Sequence, residues 1–192
     1  FMAPYFLFDP SKSRIQITST TIQFQALIVH IFFAFIALIT GFLQFVKSIR
    51  VSKPRIHRII GIIYISSVYI SGILALIVLF YIDNFAKATS FLVLVIFWLF
   101  TSWKGLKSAK KGAFTEHRKW MIRSFAITLV AVSGRILVPI LLLTYFLLNG
   151  FHLPGGREQM VEEVLNVNIW LGLIINFVIV EWVILGSKSK TK

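Results

Sequence analysis

No cysteine occurs among the 192 residues, which excludes disulfides, thiolate zinc sites and cysteine-held iron–sulfur clusters. Acidic residues are scarce as well: seven Asp and Glu stand against twenty Lys and Arg, for a formal charge of +13. The chain also lacks a polar region large enough to present a nucleic-acid recognition element, so the positive charge is not read as a nucleic-acid surface, and no nucleic-acid partner is expected. The first apolar stretch follows neither a basic segment nor a small-residue cleavage site, so no cleavable signal peptide is expected.

What the chain has in abundance is apolar sequence. It is 57% hydrophobic with a mean hydropathy of +0.84, and several runs reach the roughly 20 residues that cross about 30 Å of hydrocarbon. The expected fold is all-α: a single polytopic transmembrane helical bundle with spans at about 22–46, 57–81, 88–105, 118–148 and 164–186. A sixth span is expected if a helix precedes Phe8, Asp9 and Pro10. Fifteen of the twenty basic residues fall in two loops with their helix starts and in the C-terminal tail. The positive-inside rule therefore predicts a bacterial cytoplasmic (inner) membrane protein with those loops and the C-terminus cytoplasmic.

Within the spans, small and polar residues collect on stripes. In the first span His30, Ala34, Ala37, Gly41 and Gln44 share a face, and in the second His57, Gly61, Tyr64 and Ser71 do so. The third span is mostly Phe, Leu, Val and Trp and is expected to be the most lipid-facing. The fourth contains the segment Glu116 to Arg135, EHRKWMIRSFAITLVAVSGR, whose stripe His117, Met121, Ser124, Thr128, Ala131 and Arg135 is expected to face inward. Pro139 follows it and predicts a kink, because a proline cannot donate to the carbonyl of Arg135. Asn149 to Glu163 is expected to be an acidic, turn-rich loop. The last span carries Asn176 and Glu181.

Taken in order, His30, GFLQF at 41–45, PRIHRIIGIIY at 54–64, FWLFTSWKGL at 97–106, the segment at 116–135 and NFVIVEW at 176–182 resemble a bacterial family of predicted multi-pass membrane proteins catalogued as a domain of unknown function. The resemblance covers roughly residues 5 to 185. It implies that His30, Gln44, His57, Arg58, His117, Arg118, Arg123, Arg135, Asn176 and Glu181 form the family's polar set, and it implies no particular reaction. His152 departs from the pattern. The step from His57 to Gly61 is also similar to the helix start that carries a haem ligand in cytochrome b561-type proteins.

Two chemistries fit these residues. His57 and His117 each open a helix on the basic side, each precedes an arginine, and a glycine one turn after His57 would admit a flat macrocycle. On this reading the pair holds haem b and passes electrons to or from a quinone, with Arg58, Arg118, Arg123 and Glu181 as the surrounding charges. Alternatively Arg58 and Arg118 meet lipid phosphates or another anion and the histidines bond to backbone carbonyls. The chain is then a non-catalytic scaffold or a partner of other membrane subunits. Packing alone accounts for His30, Gln44 and Asn176 as buried polar residues hydrogen-bonding across helices. Arg135 is expected to be buried with them, as a clamp fixing helix order or at a quinone, anion or proton pocket, since a charge near mid-membrane costs at least about 2.5 kcal/mol unless paired or hydrated. Asn176 and the carbonyls near Pro139 are its expected partners, while Glu181, nearer the basic side, is expected to meet Arg123 or the two helix starts.

Overall fold

The computed structural model describes residues 17–189. The expected Phe8-Asp9-Pro10 turn, any preceding helix and the end of the basic tail lie outside the described residues. Among the described residues there are seven helices and no strand: α1 (Gln23–Gln44), α2 (Lys47–Ser52), α3 (Pro54–Leu79), α4 (Phe85–Lys110), α5 (Phe114–Thr128), α6 (Val130–Leu148) and α7 (Gly156–Ser189). Five of them, α1, α3, α4, α6 and α7, are long and apolar enough to cross a membrane. The all-α polytopic fold is thus what the hydrophobic runs dictate. The chain divides into two compact units, one ending at Asp83 and the other beginning at Asn84.

The first unit is a helical hairpin of α1 and α3, with the short α2 in its basic connection. Pro54 starts α3, at a position where its missing N–H costs no helical hydrogen bond. Two cross-helix pairs fix the antiparallel register. Gln44 meets His57 near the connection, and His30 meets Ser71 about four turns further along both helices. Between them Ala37, Tyr64 and Val68 are buried. Small residues on α1 let the larger Tyr64 and Val68 approach its backbone.

In the second unit α4 packs on α5 and α7, and α6 packs on α7. Asn84 caps α4, its side chain accepting from the Lys87 N–H at 3.0 Å. The helix ends at Gly112, whose φ of +71° lets the Ala113 N–H reach back to the Ser108 carbonyl at 3.0 Å. Gly150 ends α6 in the same way, with φ +62° and the Phe151 N–H on the Phe146 carbonyl at 3.0 Å. Both are glycine-terminated helix ends of the kind that needs the left-handed backbone a β-carbon disfavours.

Three sequence expectations change here. The span expected to face lipid most, α4, buries Ser90, Val95, Trp98, Thr101, Ser102 and Gly105. A narrow stripe of small and hydroxyl residues lies hidden among its Phe and Leu, and it is the face on which the second unit packs. The stretch expected as one fourth span is divided at Leu129, where the Val132 N–H bonds to the Leu129 carbonyl at 2.9 Å. The same carbonyl accepts the Ser133 N–H at 2.9 Å, so an i+3 and an i+4 donor share it. The helix continues through Pro139. The acidic stretch expected as a loop is helical from Gly156, because Arg157 to Glu163 is rich in strong helix formers, and Gln159 bonds Glu163 one turn on at 3.1 Å.

Candidate functional site

In the first unit, polar groups form a short ladder along the α1 and α3 seam. The Gln44 amide donates to the His57 carbonyl at 3.0 Å. That places the Gln44 side chain over Gly61: a β-carbon built on Gly61 would lie 3.5 Å from Gln44 Oε1. The side of Gly61 that a flat macrocycle would need against the backbone is therefore covered by an amide. Further along, His30 Nδ1 lies 2.9 Å from the Ser71 carbonyl and 2.9 Å from Ser71 Oγ, and the Ser71 hydroxyl donates to the His30 carbonyl at 3.1 Å. A serine hydroxyl directed at the His30 carbonyl leaves Nδ1 to donate to the Ser71 carbonyl. The pair closes on itself through two backbones.

In the second unit, the histidine that opens α5 is spent on the preceding helix: His117 Nδ1 lies 2.8 Å from the Gly105 carbonyl. A neutral imidazole donating there is held in one tautomer and one orientation. Below it, Ser102 and Ser124 share a buried hydrogen bond of 2.7 Å, and the Trp98 indole donates to Thr128 Oγ1 at 2.9 Å. Sequence reasoning misses these pairs. The signal is present as Trp98, Thr101, Ser102 and Gly105, which recur at helical spacing in a stretch dominated by Phe and Leu.

Arg123 of α5 and Glu181 of α7 meet as a two-point ion pair, Nε to Oε1 at 2.5 Å and Nη2 to Oε2 at 2.9 Å. The Trp120 ring lies 4.9 Å from the same guanidinium, so one face of the cation is covered and its edge is neutralised. Of the two partners expected for Glu181, Arg123 or the helix starts, it finds Arg123. Asn176, expected as a partner for Arg135, instead donates to the Ala126 carbonyl at 2.9 Å.

Arg135 is exposed, and its guanidinium donates to the carbonyl of Ala131 on its own helix. The expected inward stripe holds as far as Ser124 and Thr128, both buried, and then fails: Ala131 and Arg135 are exposed while Val130 and Gly134 are buried. Beyond Leu129 the packing neighbours change, since α5 packs on both α4 and α7 and α6 on α7. Gly134 faces α7, where a β-carbon built on Gly172 would lie 3.2 Å from the Gly134 nitrogen and 3.2 Å from Ser133 Oγ. Two glycines thus bring α6 and α7 into backbone contact.

Of the two His-Arg steps, His57 and Arg58 belong to the first unit and His117 and Arg118 to the second. Both imidazoles are half-buried and both guanidinium groups are exposed. His152, the fourth histidine, is exposed in the connection after α6. Among the described residues no cluster of three or more His, Asp or Glu has the arrangement of a metal site.

The residues so far described, from His30 through Glu181, all fall within residues 27–184, the stretch that matches the model of a family described as predicted membrane protein (DUF2306). The chain belongs to the DUF2306 family. No curated protein and no solved structure matches it. Membership covers parts of both units, so this DUF2306 chain carries its ladder of cross-helix pairs and its Arg123–Glu181 pair inside the family's own boundaries.

Proposed function

We propose that the chain is a non-catalytic subunit or scaffold of a membrane assembly, which holds anionic lipid phosphate at its basic helix starts. The observation that supports this reading is the division of labour at the two His-Arg steps. His117 is spent on the Gly105 carbonyl and Gln44 covers the ground beside His57, while Arg58 and Arg118 stay exposed. Around them Arg50, Lys53, Arg55, Lys107, Lys110 and Lys111 are exposed as well. Clusters of this kind beside a membrane span attract anionic headgroups, at about 1 kcal/mol for each basic residue near the surface. The positive-inside rule supports an orientation to match, with these loops and the C-terminus on the cytoplasmic side of a bacterial inner membrane.

Haem b with electron transfer to a quinone is the reading this displaces. It has one point in its favour, since an imidazole fixed through Nδ1 offers Nε2 for ligation. Against it, the residues do not fit the group at Gly61, where Gln44 stands in place of a macrocycle.

The test is native mass spectrometry of the protein released from nanodiscs of mixed phosphatidylglycerol and phosphatidylcholine. Selective retention of phosphatidylglycerol is expected, with a fall of about thirtyfold in the variant carrying Arg58→Gln and Arg118→Gln. Unchanged retention overturns the lipid reading. A Soret band in protein from haem-supplied cells, lost in His117→Ala and kept in His152→Ala, would replace it with the haem reading.

A further inference from the structure

Arg135 stands on an apolar helix with its side chain exposed, and its hydrogen bond among the described residues goes to a carbonyl of the same helix. A carbonyl offers partial charge only, so the cation stays uncompensated where water is absent. A second polar group accompanies it. Pro139 has no N–H, so the carbonyl of Arg135 lacks its usual helical donor.

Lipid phosphate is out of reach. Leu129 keeps right-handed helical dihedrals, φ −73° and ψ −12°, so α5 and α6 follow one another with little loss of rise. At that rise Arg135 lies about 18 Å beyond Arg123 and about 20 Å short of Leu148. It is therefore near the middle of a hydrocarbon layer about 30 Å thick. The chain's own acids do not serve either. Glu181 is held by Arg123, Asp83 and Glu116 lie at helix ends or connections, Glu158, Glu162 and Glu163 lie in the first turns of α7, and Asp9 precedes the first span. A second copy brings the same acids at the same depths, and so supplies no mid-membrane carboxylate among its described residues.

The surface around Arg135 suits a helix. Ala131 and Pro139, one turn to either side, are small and exposed, and Val132, Ile136, Ile140 and Leu143 next to them are apolar. Small residues beside a polar one are the usual ground for close helix approach in lipid. We propose that this face of α6 docks a transmembrane helix of another protein, and that the docking helix carries an Asp or Glu near its middle. The proposal rests on the subunit reading above for the existence of a partner, and is independent of the lipid contacts at Arg58 and Arg118.

The probe is a synthetic Leu/Ala transmembrane peptide with a single central Asp, compared with the same peptide carrying Leu. Labelled protein and labelled peptide are reconstituted in vesicles of neutral phosphatidylcholine, so the anionic-lipid reading plays no part in the result. Energy transfer is expected to show the Asp peptide associating about tenfold more tightly than the Leu peptide. That preference is expected to vanish in Arg135→Leu and to persist in Arg135→Lys. Equal association of the two peptides with the wild-type protein, or a preference that survives Arg135→Leu, overturns the proposal. A photo-crosslinker at Ile136 in native membranes gives the second measurement. A crosslinked peptide from an acid-bearing transmembrane helix supports docking. Crosslinks only to lipid, to a second copy or to the chain's own first unit overturn it.

Discussion

Arg123 and Glu181 lie 58 residues apart in sequence and join two helices through two parallel hydrogen bonds, of 2.5 and 2.9 Å, with Trp120 stacked on the cation. Their side chains are only 21% and 26% exposed. Removing one partner leaves the other desolvated and alone. Glu181→Gln is expected to destabilise the second unit by about 1 to 3 kcal/mol, and the paired change Arg123→Met with Glu181→Leu to recover much of it. Thermal unfolding of Arg123→Met, Glu181→Leu and the double variant in detergent gives the coupling directly. Additive losses would show that the pair contributes no coupling.

The pair between His30 and Ser71 joins α1 to α3 without any charge. Hydrogen bonds between transmembrane helices average about 0.6 kcal/mol and reach about 1.7 kcal/mol. Ser71→Ala is expected to fall within that range, and His30→Leu toward its upper end because the Ser71 carbonyl loses its donor and the Ser71 hydroxyl loses its Nδ1 neighbour. Denaturant titration of both variants checks the order.

Arg123 is one of the two partners that the sequence alone offers Glu181, because a carboxylate in an apolar helix must find a cation at its own depth. Arg135 is legible as a charge in the membrane, yet its direction is not. A helical wheel carries one phase from end to end but not the identity of the neighbours, and these change from α4 and α7 around α5 to α7 beside α6, so Ser124 is buried and Arg135 is not. The structural role of α4 is hidden for another reason. Trp98, Thr101, Ser102 and Gly105 are outnumbered by Phe and Leu that face outward, and hydropathy averages over both faces. The five apolar helices are readable throughout, since backbone hydrogen bonding in lipid leaves few alternatives to a helix.

Gly105 and Gly172 are both close-packed, and they should respond oppositely to a methyl group. A β-carbon on Gly105 meets the end of the flexible Met121 side chain, while one on Gly172 meets the Gly134 backbone. Gly105→Ala is expected to be neutral, or stabilising by up to about 1 kcal/mol, through helix propensity. Gly172→Ala is expected to cost about 1 to 3 kcal/mol through overpacking. Thermal melts of the two variants side by side decide it, and equal costs would contradict the packing described.

Topology is testable without purification. A reporter in the connection near Lys110 is expected to read cytoplasmic, and one near Gly155 to read the opposite side. Reversed labelling would turn the lipid-binding basic loops outward.

Gly134 and Arg135 are neighbours, and on a helix neighbours point about 100° apart. Because Gly134 is pressed against Gly172, the azimuth of α6 is pinned, and the guanidinium has no choice of bearing. The two glycines therefore act as an aiming device for a residue that neither of them touches through its side chain. A bulkier residue at position 172 would be read across the membrane as a cation swung to a new compass point, with the helix still folded and still inserted.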